Sequence, residues 1–256
     1  MMPTLSTQRI AYELGGDACE GVLVADAGGA GAAGGAGVLG ERPLVLVFHG
    51  LDGLDDAQVA FAETLAGWGY PAFAVDLFGT EVTQAGPERR GERMAAFMAD
   101  RGALRRRLFD VVAMATAGPG LPGVDRGRVA AVGFCFGGLC VLDLARAGAE
   151  LRAVAAFHGV LTPPGDMPER RPGPAGPRVL VLHGWDDPFA PPADVTALGR
   201  ELTERGLDWQ IHAHGHTLHA FTTPTANDPE GGVGYHEVSA RRATASLRSF
   251  LAEVLV

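Results

Sequence analysis

The chain of 256 residues contains no lysine; its side-chain cations are all arginine, apart from any histidine that is protonated. This excludes Walker-type phosphate loops, Schiff-base chemistry and serine/lysine dyads, each of which needs a lysine amine. Basic charge is scarce as a whole, 21 arginines facing 30 carboxylates for a formal net charge of −9, which argues against a nucleic-acid partner. Cysteine is scarce too. Cys19, Cys135 and Cys140 form an odd set without zinc-site or disulfide spacing, so free thiols in a reducing compartment are expected. Long apolar runs are missing: no segment approaches the ~18 uninterrupted apolar residues of a membrane span. The N-terminal MMPTLSTQRIAYELGG has no apolar core of signal-peptide length. The expectation is a soluble, cytoplasmic protein with no membrane partner.

What is present is an alternation. Hydrophobic residues make up 47% of the chain, enough for one α/β domain spanning residues 1–256. Gln8 to Leu14 and Gly21 to Ala25 suggest a short N-terminal antiparallel hairpin, and the Gly/Ala-rich tract 27–40 a flexible loop. Short apolar runs follow, PLVLVFHG from Pro43, PAFAVDLFG from Pro71, RVAAVGF from Arg128, RAVAAFHG from Arg152 and RVLVLHG from Arg178. Such runs suit strands buried on both faces. Helical patterns lie between and after them, at Asp56 to Gly67, Arg90 to Ala117, Gly137 to Gly148, Pro192 to Gly206 and about His236 to Leu255. The pattern predicts an α/β fold with a mostly parallel central sheet covered by helices on both faces. Pro163 to Pro177 is expected to be a surface loop.

In a parallel sheet, function gathers at the carboxyl ends of strands. Four of the predicted strands end in residues with chemical potential: His49-Gly50, Asp76, Cys135 and His183-Gly184. Gly133-Phe-Cys-Phe-Gly137 has the form of a nucleophile on a sharp strand-to-helix turn, where small residues two places to either side avoid clashes. The turn also sets the sulfur near a helix N-terminus, which favours a thiolate. Cys140, one helical turn further on, reads as core. A cysteine nucleophile needs a base and an orienting acid. Asp186 or Asp187 and a histidine within Ile211–Phe221 follow in the chain order of the α/β-hydrolases.

Taken together, VLVFHG from Val45, DLFG from Asp76, GFCFGG from Gly133, DPFAP from Asp187 and HAFTTP from His219 resemble the dienelactone hydrolase family, in the same order, from about Arg42 to the C-terminus. The resemblance implies Cys135 as nucleophile, Asp187 as acid and His219 as base. It also implies hydrolysis of a small ester or lactone through a covalent thioacyl-enzyme. Oxyanion donors would be the backbone N–H groups of Leu51 and Phe136. Asp186 is expected to cap the turn. His49 and His158 finish strands at the same sheet edge and are expected to line the cleft. So are Gly50, Thr80 and Thr223, which mark departures from the family pattern: its founding type carries a glutamate at the first position and substrate-gripping arginines at the other two. A substrate less charged than dienelactone itself is therefore expected.

Two other readings rest on other features. His212, His214 and His216 alternate, so on a strand they would share a face and could form a zinc site of a metal-dependent hydrolase. An α/β-hydrolase fold can also serve as a non-catalytic binding protein. The favoured reading needs no cofactor. Monomer and homodimer both remain open.

Overall fold

The computed structural model describes residues 4–27, 41–117, 121–167 and 176–256; positions 28–40 of the Gly/Ala tract and 168–175 of the proline-rich segment lie outside the described residues. The chain divides into two compact units, Met1–Ala130 and Ala131–Val256, the boundary falling inside a strand.

In the first unit, β1 (Leu5–Leu14) and β2 (Asp17–Asp26) form the expected antiparallel hairpin, longer than its apolar residues alone suggested. Leu14 pairs with Asp17 across Gly15-Gly16, whose φ values of 57° and 90° are those a two-residue hairpin turn demands and glycine supplies cheaply. β3 (Arg42–Phe48) runs parallel to β4 (Ala72–Val75), and β2 joins β4 antiparallel, giving the order β1-β2-β4-β3. Helix α1 (Asp56–Gly67) starts where its sequence predicts, because Asp55 and Gln58 form a reciprocal capping box.

One expectation in this unit is corrected. Arg90 to Ala117 is not one helix but part of two, α3 (Pro87–Ala99) and α4 (Arg101–Thr116), broken at Asp100. Its backbone leaves the helical region, and its carboxylate accepts the Ala103 N–H at 2.7 Å, so an aspartate inside the apolar pattern acts as a new N-cap. The strand from Pro71 ends at Val75, with Asp76 standing directly at its carboxyl end as expected. Asp76 accepts the Gly79 N–H at 3.0 Å and the Thr80 and Thr83 hydroxyls at 3.2 and 3.1 Å, which turns the chain into a short helix α2 (Thr80–Gln84).

The second unit begins in β5 (Val124–Phe134) and continues β5-β6-β7-β8, with β6 (Ala153–Phe157), β7 (Arg178–Gly184) and β8 (Trp209–His214) parallel to one another. Every residue of β6 is buried, as its uninterrupted apolar run requires. Helix α5 (Phe136–Arg146) is buried along its whole length and packs on β6. Its last residue, Arg146, is held by Asp143 at 3.1 Å, by Glu201 of α6 (Pro192–Glu204) at 3.0 Å and by the Leu161 carbonyl at 2.6 Å. A guanidinium is tolerated at such depth only with partners of this kind. Helix α7 (Glu237–Val254) closes the unit with Ala243, Leu247, Phe250, Leu251 and Val254 turned inward. Among the described residues no helix is long and apolar enough to cross a membrane.

Candidate active site

Cys135 sits at the junction of β5 and α5. A Cβ placed on Gly133 would lie 2.0 Å from the Gly137 carbonyl oxygen, so the strand can turn this sharply only because position 133 has no side chain. Cys135 itself has φ 53° and ψ −114°, a conformation non-glycine residues avoid and that collects at functional turns. Its N–H donates to the Phe157 carbonyl at 3.0 Å, and its carbonyl accepts the first helical bond, from Leu139, at 3.2 Å. The thiol makes no capping bond to the helix it precedes. The other two thiols are placed differently: Cys140 is wholly buried inside α5, while burial, reinforced by the Asp76 charge, pushes the Cys19 thiol of the first unit up to about 11.

His219 and Asp187 come from loops beyond β8 and β7. Asp187 is fixed by its N–H to the Gly184 carbonyl at 3.1 Å and by the Phe189 N–H to its Oδ1 at 2.8 Å. Its Oδ2 accepts from His219 Nδ1 at 2.7 Å, with both residues buried. Asp186, by contrast, is half-exposed and lies 3.9 Å from the fully exposed His216. The His219 backbone is pinned by a small hairpin of β9 (Asn227–Asp228) and β10 (Val233–Gly234): its N–H donates to Gly232 O and its carbonyl accepts from Gly234 N, both at 3.0 Å. The Cys135 thiol is the imidazole's other near neighbour and acts on it electrostatically. Burial alone would lower its pKa, but the hydrogen bond to Asp187, the neighbouring Cys135 and the Asp187 charge outweigh burial and raise it to about 9. Thiol, imidazole and carboxylate thus gather in one array within the second unit, the imidazole hydrogen-bonded to the carboxylate and electrostatically coupled to the thiol.

The family model of the dienelactone hydrolase family matches residues 30–255. The chain belongs to the dienelactone hydrolase family. It is accordingly a carboxylic ester hydrolase. A solved structure named m3DLH is similar at 33% identity and a TM-score of 0.82, over 98% of this chain and 99% of that one. A dienelactone hydrolase-like promiscuous phosphotriesterase from metagenomic libraries is similar at 31% identity and a TM-score of 0.82, with the same coverage. Among curated relatives, the Caenorhabditis elegans protein K02A2.1 is 36% identical over 135 residues, 52% of this chain and 84% of its own length.

The other residues singled out in this dienelactone hydrolase family member are placed as follows. In the first unit, His49 is wholly buried and both ring nitrogens are occupied, Nδ1 with Gly50 O at 2.8 Å and Nε2 accepting the Leu77 N–H at 3.1 Å. Gly50 and the exposed Leu51 follow it, and Thr80 bonds Asp76. In the second unit, Phe136 opens α5. His158 packs its ring against that of His219, with centroids 5.1 Å apart. Thr223 closes a turn onto Ala220 at 2.9 Å.

The three alternating histidines do not act together. β8 ends at His214, the His212 ring bonds Ser246 at 3.1 Å, and His216 turns into solvent, so the shared face the zinc reading requires does not form. Among the described residues no group of three or more metal-binding side chains assembles. Sequence reasoning missed Phe189, whose half-exposed ring meets His219 edge-on at 5.0 Å, Thr222, and the role of the β9–β10 hairpin. The turn composition Asn-Asp-Pro-Glu-Gly-Gly at 227–232 was the available signal for the hairpin.

Proposed function

We propose that this hydrolase cleaves small, uncharged carboxylic esters or lactones with Cys135 as nucleophile, His219 as acid and base, and Asp187 as the residue that orients the imidazole. The observation that carries the reading is the hydrogen bond in which Asp187 Oδ2 holds His219 Nδ1 at 2.7 Å, with Cys135 within electrostatic reach of the same ring. The sulfur attacks the ester carbonyl carbon and forms a C–S bond, sending the carbonyl electron pair onto oxygen. The Phe136 N–H, on the residue after the nucleophile at the start of α5, would stabilise that oxyanion. Collapse breaks the C–O bond, and the imidazolium gives its proton to the departing alkoxide. The neutral imidazole then takes a proton from water, whose oxygen attacks the thioester carbon; the C–S bond breaks, the carboxylic acid leaves, and the free Cys135 sulfur and the imidazolium are restored. Thr223, four residues beyond His219, carries no charge, which favours substrates without a carboxylate.

The test is p-nitrophenyl acetate turnover and mass analysis of rapidly quenched enzyme. The wild type is expected to carry one acetyl group on the Cys135 peptide, and Cys135→Ala to lose both adduct and turnover while folding normally. Turnover by Cys135→Ala at the wild-type rate would sink the assignment.

A second reading is favoured by the phosphotriesterase neighbour at 31% identity. The same sulfur would attack phosphorus and expel an aryloxide. Release of p-nitrophenol from paraoxon, absent in Cys135→Ala, would support it; no release above the uncatalysed rate would remove it.

A further inference from the structure

Among the described residues four non-glycine residues have positive φ, and three of them surround the array: Cys135 at 53°, His158 at 37° and Ala220, next to His219, at 54°. Such conformations persist only where the surrounding structure enforces them. For His158 the constraints are visible. Its N–H donates to the Leu182 carbonyl of β7 at 2.9 Å, and the carbonyl just before it, on Phe157, accepts the Cys135 N–H at 3.0 Å. The ring is 2% exposed and meets the His219 ring at 5.1 Å and 68°. His158 Nε2 lies 2.8 Å from the hydroxyl of Thr222, three residues beyond His219, while Nδ1 has no hydrogen-bond partner among the described residues. The 157–158 pair therefore touches both reacting residues: its carbonyl ties down the nucleophile's backbone, and its ring rests on the base.

His219 needs such a support. Asp187 anchors only Nδ1, and a ring held by one hydrogen bond can still tilt about it and carry its other nitrogen away from the sulfur. Two edge contacts oppose the tilt, His158 at 5.1 Å and Phe189 at 5.0 Å, each at 68°. Phe189 is half-exposed, whereas His158 is buried and tethered, so His158 is the fixed side of this clamp. We propose that His158, tethered by Thr222, is a positioning residue that keeps the His219 imidazole aligned with the Cys135 sulfur. The inference rests on the Cys135 reading and names a support for it that does not itself touch substrate. A neutral ring suits the role, since a cation there would oppose the imidazolium. Burial, followed by the His219 charge, holds His158 well below the usual histidine range. The charged or titratable groups acting on His219 are Asp187 and Cys135, and its own charge is felt by His158 and His183.

The experiment compares Thr222→Val, His158→Phe, the double variant and His158→Ala with the wild type, using kcat and KM for p-nitrophenyl acetate and the rate of Cys135 alkylation by iodoacetamide at neutral pH. His158→Ala, which removes both ring and tether, is expected to lose about 100-fold in kcat, the scale of a misplaced catalytic group, with KM within about twofold. Its Cys135 should alkylate several-fold more slowly. Thr222→Val and His158→Phe are each expected to lose about threefold to tenfold, as for one lost hydrogen bond, and the double variant no more than His158→Phe, because Thr222 acts through His158. Folded His158→Ala with wild-type kcat and alkylation overturns the proposal. So do losses that multiply in the double variant. If His158→Ala does not fold, wild-type kcat in both Thr222→Val and His158→Phe overturns it equally. Cys135→Ala separates the two layers: an inactive Cys135→Ala beside unaffected His158 variants removes only the positioning role, whereas an active one removes the underlying reading.

Discussion

Asp187 Oδ2 lies 2.7 Å from His219 Nδ1, whereas Asp186, one residue earlier, faces solvent 3.9 Å from His216. The two aspartates should therefore separate cleanly on substitution. Asp187→Asn keeps the size of the side chain but presents the wrong partner to the imidazole, and a loss of about 10³–10⁴-fold in kcat/KM is expected, as for other orienting carboxylates. Asp186→Asn should stay within about threefold, since an exposed ion pair contributes little. Steady-state kinetics on the two purified variants decides it, and equal losses would contradict the geometry.

Gly133→Ala tests the turn that presents Cys135. Its Cβ would fall 2.0 Å from Gly137 O and 2.2 Å from Gly137 C, both backbone atoms that cannot move without unwinding the start of α5. A loss of more than about 4 kcal/mol in unfolding free energy, or failure to fold, is expected. Urea denaturation followed by far-UV circular dichroism measures it. A stable variant would mean that the elbow is less tight than its geometry indicates.

Much of the second unit's architecture was legible before any coordinates, because its strands are buried on both faces and so announce themselves as unbroken apolar runs. The Asp187 and His219 positions were readable only through the order of short motifs; nothing in local spacing brings position 187 against position 219. The break at Asp100 was missed because apolar periodicity continues across it, and the competing signal is a single carboxylate finding the Ala103 N–H. His158 was visible as a strand end, but its contact with His219 depends on a left-handed backbone to which histidine is only weakly predisposed. The zinc reading failed for a related reason. Alternation puts histidines on one face only while the strand lasts, and β8 stops at His214.

His49 should make the protein sensitive to acid. Burial holds its pKa below the ordinary 6.5, with the bond to Gly50 O and nearby carboxylates only partly offsetting that. As pH falls through 6.5 the unfolded chain takes up a proton that the folded one refuses, so stability declines by up to about 1.4 kcal/mol per pH unit from this residue, until the folded pKa is reached. Urea midpoints measured between about pH 7.5 and 5.5 should fall for the wild type. His49→Gln can both donate to Gly50 O and accept from Leu77 N, and should flatten the slope while lowering the plateau. An unchanged slope would show that His49 is protonated in the folded protein.

The alkaline side of the activity profile reports on His219. Burial drives its pKa down, but the hydrogen bond to Asp187, the neighbouring Cys135 and the Asp187 charge raise it to about 9. In the proposed mechanism the imidazolium donates a proton to the departing alkoxide, so activity should be retained below that value and lost as pH rises through about 9. The loss should depend on the leaving group. An ethyl ester expels a strongly basic alkoxide and needs the proton, whereas a p-nitrophenyl ester expels a stable anion and needs it far less. Profiles of kcat/KM for the two acetates should therefore diverge above pH 9, the ethyl ester falling first. Asp187→Asn removes a raising influence, so its residual ethyl-ester activity should decline at lower pH than the wild type. Superimposable profiles for the two esters would mean that His219 does not protonate the leaving group, and that role would have to pass to another acid.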